Sequence, residues 1–163
     1  MLNRNHQSKS LFRSTYLIYV ALLIGQIFFC LITVFLITQP DRVQKEGSDY
    51  PFLALLVLFL AGGAAWFVNN LRRQQAQQIS ANFDGKLLHY RTSVIMRSAM
   101  MEAGNLFCLI LAMLEVSLSP ILFFCLGLGL FLYFRPQVGE VSEVYKMSGQ
   151  EQQELEQFLK NRA

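Results

Sequence analysis

Four long stretches of this 163-residue chain are almost free of charge, and they restrict the folds open to it. The first runs from 14 to 40, and its centre at 17–38 would make a helix of about 33 Å at ~1.5 Å per residue. The hydrocarbon core of a bilayer is about 30 Å thick, so such a helix could cross it. With 53% hydrophobic and 15% charged residues, the composition is not that of an ordinary soluble domain. The sequence therefore predicts a membrane protein.

The other three stretches differ in how strongly they predict a membrane span. The second, 50–71, is uncharged and rich in leucine, whereas the third, 94–116, contains one basic and two acidic residues and is the weakest. The fourth, 118–134, has 17 uncharged residues, which is near the lower limit for a crossing helix. It follows the third so closely that a tight antiparallel hairpin is expected. We predict an all-α fold, a four-helix transmembrane bundle in residues 1–136, with helices at about 14–39, 51–71, 86–116 and 118–135.

Residues 137–163 are predicted to form a cytoplasmic tail. No clear period follows Pro136, so the next ten or so residues are expected to be irregular. Ser148 and Glu151 then match a capping box, and three apolar residues follow at the spacing of one helical face. The pattern predicts a short amphipathic helix at about 149–161, which would pack on the inner loop or the headgroups, or dock a partner.

Basic residues give the orientation, because Lys and Arg near helix ends are retained on the cytoplasmic side. The segment before the first stretch is basic, and five basic residues against one acidic residue lie around the loop between the second and third. The first stretch is too long for a signal peptide and lacks a small-x-small cleavage site, so it is predicted to be retained. We expect a bacterial inner-membrane protein with both termini in the cytoplasm. The residues predicted to anchor it at the lipid headgroups are Arg13, Arg72, Arg73, Arg97 and Arg135.

Glu102 lies inside the third stretch, where a charged side chain costs roughly 2.5 to 3.5 kcal/mol on insertion scales. Ser98 and Asn105 are four and three residues away, hence on the same helical face. Gln26 in the first helix and Asn69 at the end of the second lie at compatible depths. We therefore predict an intramembrane polar cluster in which Glu102 hydrogen-bonds Gln26. Glu102 would be a neutral interhelical donor, a site that binds and releases a proton or cation, or a surface residue near the inner interface.

Three short motifs carry a resemblance to a known family. They are Gly25-Gln26 in the first helix, Tyr90-Arg91 at the end of the run from Lys86, and Glu102-Ala103-Gly104. Over nearly its whole length the chain resembles a family of small four-helix bacterial membrane proteins without assigned function. The resemblance implies four crossings of a bacterial inner membrane and lends no activity.

Several functional classes lack support in the sequence. There is no Ser/His/Asp or Cys/His arrangement and no phosphate-binding glycine loop, so we predict that the protein is not an enzyme. Cys30, Cys108 and Cys125 lie apart in three apolar stretches, and neither a metal nor another cofactor is expected. The net charge of +3 is assigned to topology, with lipid and not nucleic acid as the partner.

The predicted function is a non-catalytic structural or accessory component of the inner membrane, in a homo-oligomer or a larger membrane complex. The alternative is an oligomeric proton- or cation-coupled transporter that uses Glu102.

Overall fold

A computed structural model of the chain describes residues 2–40, 51–78 and 83–146, together with positions 149 and 153. These residues are helical apart from short turns and contain no strand. The helices are α1 (Leu2–Ile37), α2 (Pro51–Gln78), α3 (Phe83–Glu115), α4 (Ser119–Tyr133) and α5 (Val138–Val144). Three contain segments long and apolar enough to cross a membrane, namely Leu11–Ile37, Phe52–Ala76 and Asp84–Glu115. The apolar helix α4 has only 15 residues, or about 22 Å at 1.5 Å per residue.

A turn of three residues joins α3 to α4. Val116 adopts a left-handed backbone conformation with φ of 50°, which ends α3 because a right-handed helix cannot continue through it. Pro120 stands in the first turn of α4, where its missing N–H costs no helical hydrogen bond. The short turn makes α3 and α4 antiparallel neighbours.

The long helix α3 is the centre of the fold, since it packs against α1, α2 and α4, while α2 also contacts α4 and α5. The buried apolar residues form three layers along it. The basal layer, next to α5, contains Ala76, Leu87, Tyr90, Val94, Val141 and Tyr145. The middle layer contains Tyr19, Leu58, Ala65, Met101 and Phe131. The distal layer contains Ala54, Cys108, Leu109, Leu111 and Phe124.

Small residues lie inside the fold and large apolar residues face outward. In α2 the buried positions include Ala54 and Ala65, while Phe59 and Phe67 are largely exposed. Gly104 of α3 meets the small face of α2 so closely that a Cβ atom there would lie 2.6 Å from the Ala61 Cβ. Lipid tails can cover outward apolar side chains, and small residues let membrane helices approach closely. This arrangement is typical of a membrane protein.

A hydrogen bond in the middle layer ties α1 to the end of α4. The Tyr19 hydroxyl donates to the backbone carbonyl of Phe131 at 3.0 Å, and the two rings are stacked with centroids 4.8 Å apart. The last carbonyls of a helix lack intrahelical partners. Tyr19 therefore satisfies a carbonyl that the short helix α4 leaves open.

The segment after Pro136 differs from the sequence prediction. It was expected to be irregular, but residues 138–144 form α5, and Val141 and Tyr145 are buried in the basal layer. The prediction was wrong because four apolar residues at 138, 141, 144 and 145 do follow helical spacing. The helix predicted at about 149–161 lies outside the described residues, apart from Gly149 and Gln153.

Candidate functional site

A buried ion pair joins α5 to α3. The Arg97 guanidinium donates from Nη1 to Glu140 Oε1 at 2.7 Å and from Nη2 to Oε2 at 2.8 Å. Nη1 also donates to Oδ1 of Asn69 on α2 at 2.8 Å, and only 2% of the Arg97 side chain is exposed. This bidentate geometry is the strong form of an Arg–carboxylate contact. It ties three helices together at one point.

Further groups complete the environment of the Glu140 carboxylate. Arg73 reaches Oε1 at 3.1 Å from the exposed side, and the Tyr90 hydroxyl lies 3.2 Å from Oε2. The Gln137 backbone N–H donates to that hydroxyl at 3.0 Å. We call Arg97, Glu140, Asn69, Arg73 and Tyr90 the basal network.

Glu140 is held as a carboxylate within this network. Burial alone would raise its pKa, but the hydrogen bonds and positive charges of Arg97 and then Arg73 lower the pKa below its ordinary value. The carboxylate is therefore ionised at neutral pH, and Arg97 has a permanent counter-charge. Removing one member of such a buried pair leaves an uncompensated charge, which typically costs about 3–5 kcal/mol.

A second polar contact in the basal layer joins Tyr145 to His89. The Tyr145 hydroxyl lies 2.6 Å from Nδ1 of His89, and the two rings meet edge to face. Burial raises the pKa of Tyr145 to about 12, so the phenol keeps its proton at neutral pH. It can therefore donate to the imidazole when Nδ1 is unprotonated.

A cleft with a volume of about 540 Å³ opens beside the basal network. Trp66 of α2 and Tyr133 of α4 stand on its walls, and both side chains are largely exposed. Arg73, Arg135 and Glu143 supply charged groups to the same walls. We call this feature the basal cleft.

A neutral contact between two amide side chains lies at the centre of the fold. Asn105 Nδ2 donates to Gln26 Oε1 at 2.7 Å, and both side chains are fully buried. Gln26 Nε2 and Asn105 Oδ1 have no hydrogen-bond partner among the described residues. We call these two residues the amide pair.

Glu102 does not make the hydrogen bond to Gln26 that was predicted for it, because Asn105 takes that position. Three residues of helix rotate by about 300°, so Glu102 lies about 60° around α3 from Asn105. Its side chain is half-buried, and it makes no hydrogen bond or ion pair within the described part of the chain. Of the predicted cluster, the structure thus brings Gln26 and Asn105 together and leaves Glu102 at the margin.

The other predicted residues lie elsewhere. Ser98 is buried, and its Oγ has no partner within the described ranges, while Asn69 belongs to the basal network. Arg97 was predicted to anchor at the headgroups, but its side chain is enclosed by Glu140 and Asn69 and is only 2% exposed. The remaining predicted anchors, Arg13, Arg72, Arg73 and Arg135, are at least partly exposed.

Glu140 is the central residue that the sequence analysis missed. It lies 43 residues from Arg97 in a segment expected to be irregular, so no local pattern indicates it as a partner of Arg97. The helical spacing of apolar residues around it was the available signal, because a helix with a buried face also places its acidic residue at a defined position.

No group of three or more His, Cys, Asp or Glu side chains that could hold a metal occurs in the described ranges. Comparison with protein families, with curated proteins and with solved structures finds no match.

Proposed function

We propose that this chain is a non-catalytic accessory component of a bacterial inner membrane. In this proposal α1 to α4 form a four-helix transmembrane bundle with both termini in the cytoplasm. The observation that carries it is the basal network, in which the strongest polar contacts join helices to each other. Polar side chains that bond to other helices of the same chain stabilise the fold. A stable fold that presents a fixed surface at the membrane suits an accessory subunit.

The short helix α4 can still cross in this proposal. It is about 22 Å long by helical rise, several ångströms less than the ~30 Å hydrocarbon core. Local thinning of the bilayer and the flanking residues can absorb such a mismatch at a modest cost. Its tight turn from α3 and its contacts with α2 support placement within the bundle.

The orientation is supported by where the basic side chains lie. Arg73 near the end of α2 and Arg135 after α4 stand on the same basal cleft, although 62 positions separate them by number (135 − 73). By the positive-inside rule this end of the bundle faces the cytoplasm.

Reporter fusions test the topology directly. Alkaline phosphatase, which is active only outside the cytoplasm, is fused after residue 45 or after residue 140, and green fluorescent protein is fused at the same points. We expect phosphatase activity only after residue 45 and fluorescence only after residue 140. The reverse pattern would overturn the proposed orientation, and phosphatase activity at both points would overturn the fourth crossing.

The accessory role is tested by transport measurements on the purified protein in liposomes with a pH-sensitive dye inside. We expect the wild-type protein and Glu102→Gln to show the same proton leak as empty liposomes, with and without Na⁺ or K⁺ gradients. A flux that depends on protein and disappears in Glu102→Gln would replace the accessory proposal with the transporter.

One observation favours that second candidate, a proton- or cation-coupled transporter. Glu102 is half-buried and makes no ion pair with the residues described here, so its proton could exchange. Carbodiimide attacks protonated carboxyls in apolar surroundings, and labelling at Glu102 can be followed by mass spectrometry. A midpoint between about pH 6 and 8 supports the transporter. Labelling that does not change with pH supports the accessory role.

A further inference from the structure

We infer that the basal cleft binds the phosphate of an anionic phospholipid headgroup. The inference requires that the chain lie in a membrane, and it is independent of whether its role is that of an accessory subunit.

The first support is the pair of aromatic residues at the cleft. Trp66 is 61% exposed and Tyr133 is 76% exposed, one on each of two neighbouring helices. Trp and Tyr are enriched where membrane helices meet the headgroups, since their rings are apolar and their polar atoms can contact water. The cleft therefore lies at the depth of lipid phosphates, next to side chains that acyl chains can cover.

The second support is the supply of positive charge. Arg135 makes no ion pair with any side chain that the structure describes, and Arg73 is 48% exposed and uses one nitrogen for Glu140. The two guanidinium groups line one cleft, Arg73 from α2 and Arg135 from the segment after α4, and together they match the several oxygen atoms of a phosphate.

Arg97 contributes to the charge of the cleft. Its two hydrogen bonds to Glu140 neutralise that carboxylate. The positive charge of Arg73 is therefore not needed to balance Glu140. Three arginines and two glutamates line the cleft, and its net charge is +1 (3 − 2). Without Arg97 the balance would be zero, and an anion would gain little.

Glu143 favours a lipid headgroup over free phosphate. Its carboxylate stands on the cleft wall and can accept hydrogen bonds from headgroup hydroxyls, such as those of phosphatidylglycerol. A free phosphate carries up to two charges at neutral pH and would be repelled by that carboxylate. Phosphatidylglycerol offers one phosphate charge, two hydroxyl donors and acyl chains that can contact Trp66.

The test is native mass spectrometry of the full chain in detergent with added lipid. The probes are phosphatidylglycerol, phosphatidylcholine of the same acyl chains, and inorganic phosphate as competitor. We expect phosphatidylglycerol to bind about tenfold more tightly than phosphatidylcholine, because the choline cation offsets the phosphate charge beside the arginines and brings no hydroxyl donor to Glu143. We expect inorganic phosphate at millimolar concentration not to displace it.

Arg135→Gln is the main variant, because this side chain makes no ion pair within the described ranges and its loss should not disturb the fold. It should bring the two lipids to within about twofold of each other, and Arg73→Gln should do the same. Lys146→Gln is the charge control, since Lys146 is an exposed cation outside the cleft, and it should keep the tenfold preference.

Four results would overturn the inference. They are an equal affinity of the wild type for both lipids, an unchanged preference in both Arg135→Gln and Arg73→Gln, a preference lost equally in Lys146→Gln, and the result described next. Displacement of the lipid by inorganic phosphate would also overturn it and would identify the cleft as a free-phosphate site.

Discussion

The basal network and the amide pair are two ways of joining helices with polar groups, and they differ in charge. The basal network pairs a guanidinium with a carboxylate and surrounds both with further donors and acceptors. The amide pair has one hydrogen bond between neutral groups, and two of its buried atoms remain without a described partner, as does Arg97 Nε in the basal network. A charge is costly at the centre of a bilayer and less so near its surface. The fold places its ions at the end where α5 covers them and uses amides deeper inside.

Among the substitutions that test this comparison, loss of Glu140 should lower the stability of the fold the most. Glu140→Gln leaves the Arg97 charge buried without its counter-ion, so we expect the free energy of unfolding to fall by about 3–5 kcal/mol. Denaturant titration of the protein in detergent micelles, followed by circular dichroism, measures the change. Glu143→Gln is the matched control one turn along, and its exposed side chain should change stability by less than about 0.5 kcal/mol.

A double variant shows what the pair is worth. Arg97→Met combined with Glu140→Leu removes both charges and fills the space with apolar atoms, so we expect it to regain most of the lost stability. If the double variant were as unstable as Glu140→Gln, the cost would lie in lost packing and not in the unpaired charge.

Close packing should matter next, because the middle and distal layers have little polar stabilisation. Gly104→Ala would bring two Cβ atoms of α3 and α2 to 2.6 Å, which forces the helices apart. We expect it to lower the free energy of unfolding by about 1–3 kcal/mol. Gly129→Ala, where nothing lies within 4 Å of the added Cβ, should be neutral or slightly stabilising. Equal effects of the two variants would contradict close helix contact at Gly104.

The amide pair should contribute less than the ion pair. Gln26→Leu removes the acceptor of Asn105, and interhelical hydrogen bonds in membranes are worth about 1 kcal/mol. We expect that loss in the same titration, and Gln26→Leu with Asn105→Leu should be close to wild type. A loss above about 3 kcal/mol for Gln26→Leu would show that the amide pair is not the weaker of the two contacts.

The pH dependence of stability should be the smallest effect near neutrality. The folded pKa of Glu140 lies below its unfolded value of about 4.3, so its contribution is complete above that pH. It is lost as the pH falls through the folded pKa. We expect Glu140 to contribute equally to the free energy of unfolding at pH 8 and pH 6. We expect the loss of stability in acid to be smaller in Glu140→Gln than in the wild type. An equal acid loss in that variant would assign it to other carboxylates.

Much of the fold follows from local patterns in the sequence, since apolar stretches and proline positions depend on near neighbours. The uncharged run in α1 and the closeness of the third and fourth stretches are examples. The candidate site depends instead on contacts between distant residues. Helical spacing brought Ser98, Glu102 and Asn105 to one face, but it could not tell which of them would meet Gln26. A rotation of about 60° between neighbouring positions, set by how α3 packs, decided that Asn105 would.

The role of Arg97 also depended on a contact that the local sequence did not indicate. Arg97 was read as an anchor because basic residues near helix ends commonly reach the headgroups. Its partner comes from a helix of 7 residues, and such a short element has little signal of its own. Its stability comes from packing on α2 and α3, which a reading of local periodicity does not include.

The bond between Arg97 and Glu140 also sets an order of events in synthesis. Glu140 is made 43 residues after Arg97, which takes roughly 2–9 s at about 5–20 residues per second. During that interval α3 exists with its arginine but without the carboxylate that neutralises it. The contact of α5 with α2 and α3 therefore forms last, after α5 has been synthesised.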